Sequence, residues 1–263
     1  MNDIEQIKNP VRKALLQRRV TLGTWIQIGS SVVAEIFSNA GFNWVAADCE
    51  HSDIDIEVFS NLVRGMYGRG SVPMARVREN NTLAIRQVLD AGAQGVIVPL
   101  VNTAEEARKA VLASKFPPIG VRGFSFFRAN NWGVDFDEYA ESANRDIAVV
   151  VMIESKQAVE NIDEILAVEG IDGVLIGPYD MSGSYGITGQ TSHPLMIEAC
   201  NKVVHVCKKH RKSAGIHIVK PTDCSIKKAL DDGFTFIALG IDTVFLDQSA
   251  RGTLNIVRKV MED

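Results

Sequence analysis

Apolar residues along this chain fall into two patterns that take turns from one end to the other. Short runs rich in β-branched residues alternate with longer stretches of amphipathic helical pattern, the mark of βα units around a parallel sheet. The pattern predicts eight strands: "TLGTWIQI" (21–28), "WVAADC" (44–49), "VPMARV" (72–77), "GVIVPL" (95–100), "VVVMIE" (149–154), "GVLIGP" (173–178), "AGIHIV" (214–219) and "FTFIALG" (234–240). The helices between them have legible ends. Thr103 opens "TAEEARKAVLAS" (103–114) with a carboxylate three residues later, the capping-box arrangement. Pro194 stands just inside the Ser/His start of "SHPLMIEACNKVVHVCKKH" (192–210). Eight strands with eight helical segments predict a closed (β/α)8 TIM barrel, one domain over residues 1–263. One connection breaks the rhythm. Some thirty residues, "FPPIGVRGFSFFRANNWGVDFDEYAESANR" (116–145), separate the fourth helix from the fifth strand, and long excursions of this kind are active-site lids or partner contacts.

Composition narrows the picture. The 263 residues are 46 % hydrophobic and 23 % charged, as in a soluble protein with a large core. The net charge is −4, with both signs mixed along the length, which argues against nucleic acid and anionic membranes as partners. "MNDIEQIKNPVRKALLQRR" has no apolar signal core and no apolar run is long enough to span a bilayer, so a cytoplasmic protein is expected. Cys49, Cys200, Cys207 and Cys224 have no CxxC spacing and are expected to be reduced thiols, most of them packing in the core.

In a barrel of this kind the chemistry lies at the C-terminal ends of the strands. The fifth strand ends in Glu154, and Asp180 follows the sixth through "IGPYD". Two carboxylates converging near the mouth, with no pattern of His or Cys around them, suit a hard divalent cation such as Mg²⁺ or Mn²⁺. The plainer alternative is that each caps the helix that follows it. "ADCEHSDID" sets Asp48, Glu50 and His51 at one rim, where neighbouring carboxylates favour an imidazole base. "PMARVRE" offers Arg76 and Arg78, which a period of two projects to one side, so spacing does not choose which of them meets an anionic substrate. Asp90 reads by itself as a turn residue. Gly183, Gly186 and Gly189 are spaced too loosely for a phosphate loop and read as a flexible turn. Lys220 is the lone candidate for a Schiff base, with Pro221 at its side.

Taken together, "WVAADCEH", "PMARV", "VLDAGAQGVIVPLV", "FPPIGVRG", "VMIES", "IDGVLIGPYDMSGSYGITGQ" and "AGIHIV…FTFIALGID" resemble the HpcH/HpaI aldolase family. These are the metal-dependent class II pyruvate aldolases of the phosphoenolpyruvate/pyruvate barrel superfamily, and the resemblance runs from about Leu22 to the last helix. It implies reversible cleavage of a 4-hydroxy-2-oxo acid to pyruvate and an aldehyde through a pyruvate enolate held on the metal. Glu154 and Asp180 would be the metal ligands, for Mg²⁺ or Mn²⁺ with Co²⁺ a further candidate. Arg76, and not Arg78, would stabilise the enolate oxygen. His51 would be the acid/base, directly or through a water, with Asp90 raising its basicity. Trp25 would line the pocket, and the Gly177-Pro178 turn would bring the backbone amides of Tyr179 and Asp180 to the substrate carboxylate. One position departs: Met152 stands where better-known members carry Gln, a weak acceptor in place of an amide, which bears on the substrate more than on the reaction class.

The same residues also serve an oxaloacetate decarboxylase or another enolate-forming enzyme. A non-catalytic assembly barrel is the reading of another class, and it has no need of His51, Arg76, Asp90, Glu154 and Asp180 together. The resemblance further implies a homo-hexamer, a dimer of trimers that exchange the last helix. In "IDTVFLDQSARGTLNIVRKVMED" the positions Val244, Phe245, Leu246, Leu254, Ile256, Val257 and Val260 make an apolar stripe able to leave its own barrel. Docking of that helix on its parent barrel is the alternative. A partner's helix and the aromatic loop around Phe124, Phe126, Phe127 and Trp132 would then close the mouth and exclude water.

Overall fold

A computed structural model describes residues 3–262; Met1, Asn2 and Asp263 of the expected domain lie outside the described residues. The strands are β1 (Thr21–Ile26), β2 (Trp44–Asp48), β3 (Val72–Arg76), β4 (Gly95–Val98), β5 (Ala148–Ile153), β6 (Gly173–Ile176), β7 (Ser213–Ile218) and β8 (Phe236–Ile241). Each pairs in parallel with the next, and β8 closes on β1, giving the eight-stranded TIM barrel that the pattern predicts. Several strands end a residue or two before the apolar runs do, which leaves Glu154, Gly177 and Pro178 in the loops just past the ladder. Hydrophobicity marks burial, and a loop that dives over the barrel mouth is as buried as the strand before it.

Alternation along the strands divides two cores. One set of side chains faces the helices; the other fills the barrel with Trp25, Trp44, Met74, Ile97, Val150 and Phe236, among others. The Trp44 ring stacks on Phe236 at 4.2 Å and meets the edge of Trp25 at 6.4 Å. Gly23 makes room for it, because a Cβ there would come within 2.0 Å of the indole. The helix Pro10–Leu16 plugs the N-terminal end of the barrel with Val11 and Leu15. Arg12 holds that plug in place: its Nε lies 3.1 Å from the buried Asp172, whose carboxylate also accepts the Val149 N–H. Nearby, Lys115 Nζ donates to the carbonyls of Asn144 and Ile147, and burial pushes its pKa down to about 7.

The expected helix starts are found, with Thr103 and Glu106 forming the capping box and Pro194 in the first turn of Pro194–Lys209. No disulfide joins the four cysteines; Cys49 and Cys207 are buried, whereas Cys224 is exposed and packs in no core. Among the described residues, no helix is long and apolar enough to cross a membrane.

Two segments depart from compact packing. The final helix, Asp242–Glu262, is anchored at its start, where the buried Asp242 carboxylate accepts the N–H groups of Gln27 and Ile28. From Leu246 onward every described residue is exposed, so the helix does not dock on its parent barrel. The aromatic excursion follows the helix Ala104–Ser114 and precedes β5, which puts it at the N-terminal end of its own barrel. There Phe124 stacks on Phe116 and Phe126 on Phe136, with Phe124, Phe126, Phe127 and Trp132 all exposed. The expectation that this loop covers the mouth fails within one chain, since an αβ connection lies at the opposite end from the strand tips.

Candidate active site

The period of two that sends Trp44 and Ala46 into the barrel also sends Asp48 inward at the tip of β2, and the β2–β3 register sets it directly beside Arg76. The two form a bidentate pair, Arg76 Nε to Asp48 Oδ1 at 2.9 Å and Nη2 to Oδ2 at 2.7 Å. Glu50 Oε2 lies 3.3 Å from the same Nε, and the guanidinium sits 5.0 Å over the Trp25 ring. Asp48 also accepts from Gln27 Nε2 and from the backbone N–H groups of Glu50 and His51. Burial alone would push the Asp48 carboxyl up, but Arg76, Gln27 and the His51 amide together hold it below the ordinary range. Arg76 Nη1 has no hydrogen-bond partner among the described residues, leaving N–H groups for a ligand oxygen. Arg78 lies past the end of β3, where strand alternation no longer applies, and donates to the Ile54 carbonyl.

Glu154 extends the inward set of β5. Its Oε1 accepts the Leu100 N–H at 2.6 Å. Burial raises its pKa, and the charges of Glu50 and Asp180 raise it further. Glu50 is likewise raised, first by burial and also by Asp48 and Asp180. Asp180 stands in the first turn of the helix Pro178–Ser184, whose N-cap, Gly177, supplies no side chain to the free amides of that turn. Gly177 is there for space: a Cβ at this position would meet the Cβ and Oε2 of Glu154 at 2.8 Å.

Asp48, Arg76 and Asp180 line a cavity of about 500 Å³ at the strand tips, with Trp25, Met152 and Tyr179 on the same part of its wall and Thr191, His217 and Lys220 on another; Glu154 stands behind Gly177 of that wall. A larger cleft, about 850 Å³, opens at the N-terminal end between Val63, Tyr67, Trp132 and Tyr139, away from the strand tips. His51 is at the mouth, its side chain 63 % exposed and its Nε2 3.7 Å from Glu50 Oε2. Asp90 is not brought to it. It ends the helix Thr82–Asp90 at the N-terminal end of the barrel and pairs there with the buried Arg122 at 2.7 Å. Within one chain, then, the carboxylate beside His51 is Glu50.

Sequence reasoning set Asp48 and Glu50 at the rim without seeing that they clamp Arg76, and it passed over Gln27 and His217. His217 Nε2 contacts the Gly240 carbonyl at 3.0 Å and its ring lies 5.9 Å from that of Trp25. The one signal for it was a polar residue at an inward position of an otherwise apolar strand. Burial is the main reason that its pKa falls to about 4, with the Arg76 charge adding to it.

The chain is similar to known proteins over most of its length. The family model for HpcH/HpaI aldolase/citrate lyase matches residues 21–248. The chain belongs to that family. It is therefore an enzyme of the lyase type. A 5-keto-4-deoxy-D-glucarate aldolase of Escherichia coli (strain E24377A) is 36 % identical over 242 residues, covering 92 % of this chain and 93 % of the relative. Among solved structures, an HpcH/HpaI aldolase/citrate lyase family protein from Burkholderia cenocepacia superposes with a TM-score of 0.91 at 28 % identity, over 95 % of this chain and all of that one. The citrate synthase SbnG superposes with a TM-score of 0.86 at 27 % identity, over 97 % of this chain and 100 % of the other.

Two outcomes follow for this HpcH/HpaI member. Gly177→Ala is expected to displace the Glu154 carboxylate and lower lyase turnover by ~10²-fold while the melting temperature stays within a few degrees; turnover equal to wild type would show that the Glu154 position is not critical. The unfolded chain binds a proton on residue 217 below pH ~6.5, whereas folded His217 does so only below about 4. Stability therefore falls as the pH drops through that window, by about 1–3 kcal/mol, and His217→Gln should remove this part of the slope in thermal melts across pH.

Proposed function

We propose that this enzyme is a class II aldolase that cleaves a 4-hydroxy-2-oxo acid reversibly into pyruvate and an aldehyde. The observation that carries the reading is Asp180 and Arg76 on the wall of one cavity, with Glu154 packed beside Gly177 of that wall within range of both their charges, and His51 exposed next to Glu50. The acidic pair fits a divalent cation: Glu154 keeps Oε2 free while Oε1 is held by Leu100, and the mutual repulsion of Glu50, Glu154 and Asp180 is what a cation relieves. Among the described residues no three His, Cys, Asp or Glu side chains gather as a closed metal site, so the proposed donors are Glu154 and Asp180, with substrate and water completing the shell. Bound there, Mg²⁺, Mn²⁺ or Co²⁺ would act as a Lewis acid toward the 2-oxo acid.

The rest is done by the chain. The unpaired amides of Tyr179 and Asp180 receive the substrate carboxylate at a helix N-terminus. Arg76 Nη1 donates to the oxygen that becomes the enolate, from a guanidinium already fixed by Asp48, so little reorganisation is needed as charge develops. His51 Nε2 accepts the 4-hydroxyl proton, directly or through a water, as the C3–C4 bond breaks. Trp25 packs against the guanidinium and forms the pocket wall. Lys220 is exposed and lacks the burial that makes a Schiff-base lysine nucleophilic, which favours the metal-dependent route. A second reading, formation or decarboxylation chemistry on oxaloacetate, is favoured by the likeness to a citrate synthase. Assaying oxaloacetate beside hydroxy-oxo acids separates the two.

The assembly belongs to the same proposal. The exposed apolar side chains of Leu246, Leu254, Ile256, Val257 and Val260 on the last helix, and the exposed aromatics at the other end of the barrel, support a homo-hexamer that exchanges this helix. Asp90 acts on His51 in such an assembly only if a neighbouring copy delivers it.

Glu154→Ala and Asp180→Ala are each expected to abolish cleavage, as is EDTA on the wild type, and His51→Ala to lower it by ~10² to 10⁴ with a smaller loss on oxaloacetate decarboxylation. Activity untouched by EDTA rules out the metal-dependent route. Deleting residues from Gly252 onward should break the oligomer and reduce turnover together, read by light scattering and a hydroxy-oxo acid assay. A truncated chain that is folded, monomeric and fully active would overturn the exchange.

A further inference from the structure

Three polar side chains stand on one rung across the first three strands. The β1–β2 register pairs Ile26 with Ala47, which sets the next residues, Gln27 and Asp48, side by side, and the β2–β3 register sets Asp48 beside Arg76. All three line the strand-tip cavity. The buried Asp48 carboxylate takes its donors unevenly. Oδ1 accepts from Arg76 Nε and also from the Glu50 and His51 amides, at 3.2 and 3.1 Å. Oδ2 accepts from Arg76 Nη2 at 2.7 Å and from Gln27 Nε2 at 2.9 Å, its two donors among the described residues. The arginine cannot by itself fix the carboxylate that orients it, so on the Oδ2 side Gln27 is the independent support. Gln27 is in turn held from behind. Its backbone N–H donates to the buried Asp242 carboxylate, and its Oε1 accepts from the Thr243 hydroxyl at 3.4 Å. With the amide oxygen turned to that hydroxyl, the NH₂ end is the one that meets Asp48. On the other side of the arginine stands a rival acceptor, Glu50 Oε2, 3.3 Å from Arg76 Nε.

We propose that Gln27 is a positioning residue for Arg76: by holding Oδ2 of Asp48 it keeps the guanidinium in its bidentate plane, with Nη1 left free for a ligand oxygen, instead of turned toward Glu50. A carboxylate anchored at one oxygen pivots about it. Without the Gln27 donor, Oδ2 keeps a buried lone pair unmatched, which rotation of Asp48, with Arg76 swinging toward Glu50, relieves. The effect on turnover rests on the aldolase reading, in which Arg76 meets the oxygen that becomes the enolate and interacts more strongly as charge develops there.

The test compares full-length wild type, Gln27→Leu and Gln27→Glu, each with Mg²⁺, by NMR of the exchange of pyruvate methyl protons with deuterated solvent, a reaction that passes through the enolate. Gln27→Leu, close in volume, should lower kcat for exchange by about 10- to 100-fold, as for loss of one hydrogen bond to a buried charge, with KM for pyruvate within about threefold of wild type. Gln27→Glu should be as slow at about pH 8, where two carboxylates face each other, and should recover relative to wild type toward about pH 5.5, as the new acid protonates and donates to Asp48. A general loss of packing does not produce that recovery. Wild-type kcat in Gln27→Leu, a loss confined to KM, or a flat ratio across pH in Gln27→Glu overturns the proposal. A crystal structure of Gln27→Leu decides the same point without turnover: Arg76 displaced from Asp48 toward Glu50 supports it, and an unchanged bidentate pair overturns it. A wild type that exchanges no pyruvate protons counts against the aldolase reading, while that crystal structure still decides the role of Gln27.

Discussion

The ion pair between Asp48 and Arg76 is the interaction on which the rest of the site depends. Both side chains are inward residues at the last rung of adjacent strands, so the β2–β3 register alone brings them together. The pair fixes the guanidinium in one plane over Trp25, leaves Nη1 free, and gives the β2 loop a fixed start through the Glu50 and His51 amides. A buried pair of this kind adds little net stability against an apolar isostere, but removing one member strands the other charge in the barrel. Its value is orientation: a flexible arginine would first have to be ordered before it met a ligand oxygen.

Legibility in the sequence followed physical locality. The eight strands could be read because each is a short apolar run, and the boundary errors arose where buried loops continue the run past the ladder, as at Glu154 and Pro178. Glu154 and Asp180 could be read as acids at strand ends. Arg76 could not be separated from Arg78 by period, since the alternation that makes them equivalent stops where β3 stops. Asp48 was visible as a rim acid, yet its partner depends on inter-strand register, which a single sequence does not state. His217 and Gln27 act through contacts more than twenty residues away, and nothing near them in the chain announces this. Asp90 gives the opposite lesson. The resemblance assigned it to His51, whereas the single chain pairs it with Arg122 at the far end of the barrel.

The two ends of the molecule have different surfaces for related reasons. The strand tips carry charge, held by hydrogen bonds and a bidentate pair; the other end and the last helix carry apolar side chains that the barrel itself does not cover. Asp242 links them. By accepting the Gln27 and Ile28 amides it ties the first turn of the final helix to the end of β1, next to the residue whose side chain supports Asp48. Gln27 therefore joins the start of that helix to the clamp beside Arg76.

Charge at the strand tips gives the same conclusion from another side. Asp48 and Asp180 line the cavity with Glu50 and Glu154 within range of their charge, and among the described residues Arg76 and Lys220 are the basic side chains on its wall. Asp48 is stabilised as an anion by its partners, while Glu50 and Glu154 are held against both burial and their neighbours' charge. A protein selected for stability alone would replace such residues with neutral ones, because each raised carboxyl is an unfavourable interaction in the free protein. The excess is two negative charges, the amount that one divalent cation neutralises.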